Sequence, residues 1–192
     1  GECAMLTHQG TGTLSTSRLL LRRFTLDDAQ AVYDSYTSDE KVSLRHNLDA
    51  HQSVEETRTM LAEWIAEYGD KKYYHWVIEH ENMVIGEINL FNIANEQERC
   101  ELGYTIGSKW WNNGFATEAV GEILRFAFEE VHFNKVCARH DADNLASGKV
   151  MQKNGMKQEG LFREHAVKKD GAKIDVTFYG ILRNEWAAKA SC

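Results

Sequence analysis

Apolar and polar positions change period several times along the chain, and each change marks an element. Residues 18–23, RLLLRR, read as a first strand. Thr25 followed three residues later by Asp28 has the form of a capping box and predicts a helix through about Ser38. Residues 39–52 show no clear period and are read as a loop. Ser53 with Glu56 is a second capping box. Its helix carries Val54, Leu61, Trp64, Ile65 and Tyr68 on one face and stops at Gly69. Three strand patterns follow, at 73–79, 83–92 and 98–106. A polar turn at 80–82 separates the first two, and Gly86 inside the second suggests a bulge. A long helix then has Val120, Ile123, Leu124, Ala127, Phe128 and Val131 at one-face spacing. Residues 135–139 form a short strand, and 144–154 a short helix ended by Gly155. Strands at 157–167 and 173–182 are joined through Lys169-Asp170-Gly171-Ala172, a hairpin signal, and 183–192 is a tail. The order β-α-α-β-β-β-α-β-α-β-β implies a mixed α/β sheet with helices packed on it.

The stretch 103–120, GYTIGSKWWNNGFATEAV, links a strand to the long helix and organises the chain. Asn112, Asn113 and Gly114 stand at the crossing. Gly114 has no Cβ, so backbone there can approach a ligand closely. The helix beyond it opens with unpaired N–H groups and a positive dipole end. A strand, a small-residue turn and a helix N-terminus together make an anion site, usually for phosphate. An ordinary strand–loop–helix connection would carry the same pattern. Two phosphate loops are excluded: Phe115-Ala116 is not the Lys-Ser/Thr pair of a P-loop, and Gly107 and Gly114 do not supply the three glycines of a dinucleotide fingerprint.

Length and composition narrow the picture further. The 192 residues suit one domain, with a tail at 1–12, a body at 13–186 and a second tail at 187–192. Hydrophobic residues make up 43% and charged residues 27%, a globular balance. A net charge of −7 argues against sequence-independent nucleic-acid binding and is compatible with a cationic substrate. No apolar run approaches the roughly 18 residues of a membrane span. The start, Gly1-Glu2-Cys3-Ala4-Met5, has no apolar signal region, and residues 1–4 read as a cloning remnant. The cysteines at 3, 100, 137 and 192 include no CxxC pair, and two sit in apolar strand patterns as reduced core residues. A cytoplasmic location is expected from these absences. Eight histidines occur without HExxH or paired spacing, so no metal is expected. With no Pro in the chain, turns are left to Gly, Asn and Asp.

Four blocks in order resemble the GCN5-related N-acetyltransferases, and more closely the branch that acetylates ribosomal-protein N-termini. They are the opening Thr16-Ser17-Arg18-Leu19-Leu20-Leu21-Arg22, the strand end Glu101-Leu102-Gly103-Tyr104 with the loop 111–116, the block Asn144 to Met156, and the final Leu182-Arg183-Asn184-Glu185-Trp186. The resemblance runs from about Thr13 to Trp186. It implies a single α/β (α+β) domain with a mixed, mostly antiparallel sheet, a splayed parallel strand pair and helices on both faces. It also implies acetyl-CoA as co-substrate, and it is compatible with a homodimer. In the family's pyrophosphate loop, Q/R-x-x-G-x-G/A, Gly114 and Ala116 fit, but Trp111 takes the Gln/Arg position. Phosphate binding then falls to backbone N–H groups of Asn112, Asn113, Gly114, Phe115, Ala116 and Thr117. The strand edge Tyr104, Thr105 and Ile106 is the position that pairs with pantetheine.

Acetyl transfer to an amine needs a neutral amine, an oriented thioester, a stabilised oxyanion and a stabilised leaving thiolate. Glu87 and Glu101, both in strand patterns, are the candidate bases, and a solvated strand-face carboxylate is the plainer reading of each. The resemblance places a Tyr seven residues after Asn144 as thiolate partner. Met151 stands there instead and cannot donate a proton, so Ser147, one turn earlier, takes that role, with Asn144 orienting pantetheine or simply capping its helix. The expected acceptor is a primary amine, a protein N-terminus. A small amine such as a polyamine or aminoglycoside, and acyl-CoA binding without turnover, are the alternatives.

Overall fold

The computed structural model describes residues 5–190. β1 (Leu14–Ser15), β2 (Leu19–Arg22), β3 (Tyr74–His80), β4 (Met83–Ala94), β5 (Arg99–Ile106), β6 (Lys135–Asp141), β7 (Lys157–Val167) and β8 (Lys173–Leu182) form one sheet in the order β1-β2-β3-β4-β5-β6-β8-β7. Every neighbouring pair is antiparallel except β5 with β6. That pair is in register only at Arg99 with Lys135, Cys100 with Val136 and Glu101 with Cys137. Beyond Glu101 the two strands separate, leaving residues 102–106 and 138–141 unpaired with each other. The expected mixed sheet with a splayed parallel pair is therefore observed.

Period-two alternation along the strands builds two cores. Tyr74, Trp76 and Ile78 of β3, Ile88 and Leu90 of β4 and Leu102 and Ile106 of β5 turn to one face. There α4 (Phe115–Arg125) covers them with Ala119, Val120, Ile123 and Leu124. The helix continues as a π-helical stretch from Phe126 to Val131, which keeps Ala127, Phe128 and Val131 buried. On the opposite face α1 (Ala29–Val32), extended by a π-helical turn to Thr37, and α3 (Val54–Ala66) enclose Val77 and Val84 with Val32, Tyr36, Leu61 and Tyr68. Both predicted N-termini are capped. The Asp28 carboxylate accepts from the Thr25 N–H at 2.8 Å. Ser53 Oγ accepts from the Glu56 N–H at 3.4 Å, whereas the Glu56 side chain reaches the N–H of Gln52 rather than Ser53. Gly86 does sit at a bulge: Ile78 pairs with Gly86 and Glu79 with Val84, leaving Ile85 extra. A Cβ on Gly86 would stand 2.2 Å from the Thr105 carbonyl oxygen, so β5 passes where only glycine fits.

Three elements depart from the sequence reading. The stretch taken as a loop contains α2 (Glu40–Arg45), too short for a period to register. The presumed C-terminal tail is α6 (Arg183–Ala190), anchored by the Trp186 ring 5.9 Å from that of Phe128. Residues 7–12 are docked rather than loose: the Thr7 N–H donates to Val131, the Gly10 N–H to Lys71, and the Trp76 indole to Gly12 at 2.7 Å. Hydrophobic pattern could not reveal these contacts, because they are made to distant backbone. Cys100 is buried and Cys137 half-buried, both free thiols; Cys3 and Cys192 and residues 1–4 lie outside the described residues. No described helix is long and apolar enough to cross a membrane.

Candidate active site

Two adjoining cavities open where β5 and β6 part. The larger, about 380 Å³, lies between the end of β5, the loop leading to α4, and α5 (Leu145–Lys153). The smaller, about 200 Å³, occupies the splay itself, walled by Leu102 and Gly103 of β5 and by Arg139, His140 and Asp141 of β6. Arg45, His46, Tyr104 and Ser147 border both. In a chain of net charge −7, the larger cavity is lined by Arg45, Lys149 and Lys153 and by no carboxylate. That local excess of cations, facing a helix N-terminus, suits a polyanionic ligand.

The loop takes a backbone conformation that favours glycine at the position its sequence singles out. Gly114 adopts φ +77°, a left-handed conformation, and is the residue from which α4 starts. Asn112 also has positive φ, +63°. The Asn113 side-chain amide donates to the carbonyls of Trp110 and Trp111 at 3.1 and 3.0 Å. From outside, Arg18 buttresses the turn: it donates to the Asn113 carbonyl at 3.0 Å, lies 4.5 Å over the Phe115 ring, and pairs with Glu118 at 2.8 Å. The first backbone bond of α4 runs from Glu118 N–H to the Gly114 carbonyl, so the N–H groups of Phe115, Ala116 and Thr117 precede the helical ladder.

The Gln/Arg position filled by Trp111 has a structural counterpart. The Trp111 indole donates to the Ile106 carbonyl at 2.8 Å, and the Arg45 guanidinium of α2 lies 3.5 Å over its ring. A cation thus reaches the cavity from a different element. Asp39 holds that element in place. One of its carboxylate oxygens caps α2 through the N–H groups of Lys41 and Val42; the other accepts from the Ser108 N–H at 3.0 Å and from the Ser108 hydroxyl. At the other end Asn47 bonds Val167 and Lys169 at the tip of the β7–β8 hairpin. Arg45 and His46 escaped sequence analysis because neither lies in a recognisable motif.

Of the anticipated cofactor residues, Tyr104, Ile106, Asn112, Asn113, Gly114, Ala116, Thr117 and Ser147 line the larger cavity, and Asn144, with Tyr104 and Ser147, lines the smaller. Thr105 lines neither and pairs across β4 with Glu87. Phe115 is buried in the core. Asn144 caps α5, its side-chain oxygen accepting from the Ser147 N–H at 3.4 Å. That places Ser147 Oγ within 3.2 Å of the Tyr104 hydroxyl, which donates to it. Met151 is buried one turn further along the helix.

The two candidate carboxylates are placed apart. Glu101 is held in a fork by Arg139, at 3.0 Å from Nε and 2.6 Å from a terminal nitrogen, and also accepts from Asn92. Glu87 lines neither cavity. It faces a separate groove of about 540 Å³ between α3 and β4, with Glu63, Glu67, Trp64, Tyr73 and His75. Tyr36 donates to it at 2.6 Å, and His75 Nε2 stands 3.6 Å away. Burial pushes the Glu87 carboxyl up, but His75 and the Tyr36 phenol outweigh it and hold the group below its ordinary range. Phe91 borders both this groove and the splay cavity.

Comparison with known proteins fits this architecture. Residues 18–157 match the acetyltransferase (GNAT) domain family model, and the chain belongs to that family. An uncharacterised N-acetyltransferase of Bacillus subtilis (strain 168), YoaA, is 31% identical over 172 residues, covering 88% of this chain and 96% of the relative. The ribosomal protein uS5-alanine N-acetyltransferase of Escherichia coli (strain K12) is 26% identical over 184 residues, covering 90% and 92%. The crystal structure of a GNAT-family acetyltransferase from Bacillus anthracis superposes with a TM-score of 0.78 at 27% identity, covering 90% of this chain and 99% of that one. The protein is an acetyl-CoA-dependent N-acetyltransferase.

Proposed function

We propose that the acceptor is the N-terminal amine of a protein, of the ribosomal-protein type, acetylated by direct attack on the thioester. The observation that carries this reading is the open groove beyond Phe91. It shares Phe91 with the splay cavity, lies between α3 and β4, and sets three carboxylates, Glu63, Glu67 and Glu87, against one cation, Lys72, beside Trp64 and Tyr73. An open groove beside the splay cavity leaves room for the residues that follow an N-terminal amine. Its carboxylates offset the charge of an incoming ammonium, and its rings offer apolar and cation–π contact to the first side chains. The likeness to the uS5-alanine enzyme supports the same acceptor class. In this reading acetyl-CoA lies with its phosphates by Gly114 and the three cations, and its thioester supplies the acyl group at the junction of the two cavities. Asn144 and Ser147 orient that end.

The test is thiol release from acetyl-CoA with three acceptors: short peptides with a free N-terminus, the same peptides blocked at the N-terminus, and polyamines with aminoglycosides. The free peptides are expected to turn over and the blocked ones not. Turnover of the small amines alone would replace the N-terminal reading.

A further inference from the structure

Neither carboxylate is well placed to take a proton from an amine at the cavity junction. Glu101 is committed to Arg139, and Glu87 lies outside both cavities. We propose that His46 is the general base of the transfer, taking a proton from the acceptor ammonium where the two cavities meet. This deepens the acetyl-transfer reading above and rests on it.

The geometry singles this residue out. His46 follows the last residue of α2 and is half-buried. Among the described residues it is the one histidine that borders both cavities, as Tyr104 and Ser147 also do. His8, His51, His75, His80 and His140 each hold a ring nitrogen in a hydrogen bond. No such bond is made by the His46 ring within the described protein, so its nitrogens are left for a ligand. A half-buried imidazole kept without a partner at the mouth of a cationic cleft has no evident structural task. The element that carries it is tied at both ends, by Asp39 to Ser108 and by Asn47 to the hairpin tip.

Its surroundings favour the neutral ring. Burial lowers the proton affinity of His46 below the ordinary value, and the adjacent Arg45 acts in the same sense; Glu87 from β4 and Asp141 from β6 oppose them and are outweighed. Tyr104 of β5, Arg139 and His140 of β6, and Lys149 and Lys153 of α5 are the other ionisable groups facing the two cavities. A neutral imidazole at pH 7 has a lone pair to offer to the acceptor's proton.

The step balances without a further reagent. The acceptor enters as an ammonium and gives one proton to His46. The freed nitrogen pair attacks the acetyl carbon; the N–C bond forms as the carbonyl π pair moves to oxygen. That pair returns, the C–S bond breaks, and sulfur leaves with its electrons. The second nitrogen proton neutralises the thiolate by way of water or the Ser147 hydroxyl. His46 then releases its proton to solvent.

The experiment is the pH dependence of kcat/KM for the wild type and His46→Gln, using an acceptor that the thiol-release screen turns over, with acetyl-CoA affinity measured by calorimetry. Expected is a loss of about 100-fold in kcat/KM at pH 7. Acetyl-CoA affinity should be retained, and the variant's rate should follow the amine's own deprotonation instead of levelling off. An unchanged profile, or a loss accounted for entirely by weaker acetyl-CoA binding, would overturn the assignment. A second measurement needs no acceptor: NMR titration of the His46 ring in the wild-type enzyme should place its midpoint below the ordinary 6.5 or so. A ring still protonated above pH 7 would also overturn it. Turnover of a small amine but not of any peptide sinks the N-terminal reading alone, and His46 is then judged on that amine.

Discussion

Two hydroxyls, on a strand and a helix far apart in the chain, meet where the two cavities adjoin. Tyr104 donates to Ser147 Oγ at 3.2 Å, which leaves the serine's own proton for another acceptor. Burial pushes the Tyr104 phenol up, so it stays protonated and remains a donor. A donor feeding a second donor is polarised by it, which strengthens the outer bond. On the proposed reading, a phenol from β5 stands in for the one missing at Met151. Ser147→Ala should lower kcat by about 10–100 fold, equal to about 1.4–2.8 kcal/mol, with little change in acetyl-CoA affinity. A wild-type kcat in that variant, with chemistry shown to limit turnover by pre-steady-state kinetics, would remove Ser147 from the reaction. The Asn144–Ser147 spacing was legible in the chain because i and i+3 share a helix face. Tyr104 could be read as a strand-edge residue only, because its partner depends on how α5 packs over the splay.

At the scale of elements, α2 is a six-residue helix with a large share in the cavities. It delivers Arg45 and His46 to both cavities, and one carboxylate both starts it and moors it. Burial pushes the Asp39 carboxyl up, but the hydroxyl and N–H of Ser108, with the two helix N–H groups, prevail and hold it below its usual range. A depressed carboxylate contributes stability above its unfolded pKa of about 3.9, and that contribution is lost as pH falls through the lower folded value. The mooring should therefore persist at neutral pH and fail only in strong acid. Asp39→Ala removes a cap and two bonds to a charged acceptor, about 2 kcal/mol together. It should weaken acetyl-CoA binding measured by calorimetry at pH 7 and raise amide hydrogen exchange over residues 40–46. Unchanged exchange and affinity would show that α2 is held by other contacts. No hydrophobic period announces six residues, whereas the same capping logic was legible at Thr25 and Ser53, where a helical pattern follows.

Across the whole molecule, the sheet and its first helical layer are joined by an ion cluster. Arg22 of β2 holds Asp28 through two bonds of 2.9 and 2.8 Å and Glu79 of β3 at 2.8 Å. The Asp28 side chain is only 10% exposed. Burial pushes its carboxyl up, but Arg22 and the Thr25 N–H outweigh that and lower it, so its contribution too is present above about pH 3.9 and lost on acidification through the folded value. Asp28→Asn leaves the Arg22 guanidinium with one charged partner, Glu79, and should lower the unfolding free energy by about 2 kcal/mol at pH 7, a difference that shrinks in acid. Urea denaturation at pH 7 and pH 3 would check both points; an equal loss at the two pH values would locate the effect in the cap geometry instead. Turn chemistry also differs from expectation at this scale. With Pro absent, Asn47, Asn82, Asn92 and Asn112 do take positive φ, but so do Glu81, Glu98, His132 and Glu164.

The chain by itself determined the order of the longer strands and helices, the bulge at Gly86 and the loop at Gly114, because each rests on local periodicity, local sterics or capping within a few residues. The bounds of β7 and β8 follow from alternation and one hairpin turn, which are equally local. Tertiary structure alone decided what meets across the splay. Only the parting of β5 from β6 after Glu101 opens the cavities. The docking of α2 brings Arg45 over Trp111 and His46 to the junction, and the register of β6 commits Glu101 to Arg139. Contacts between residues tens of positions apart leave no pattern in a linear sequence, since any side chain of fitting size and charge satisfies them once the backbone is in place.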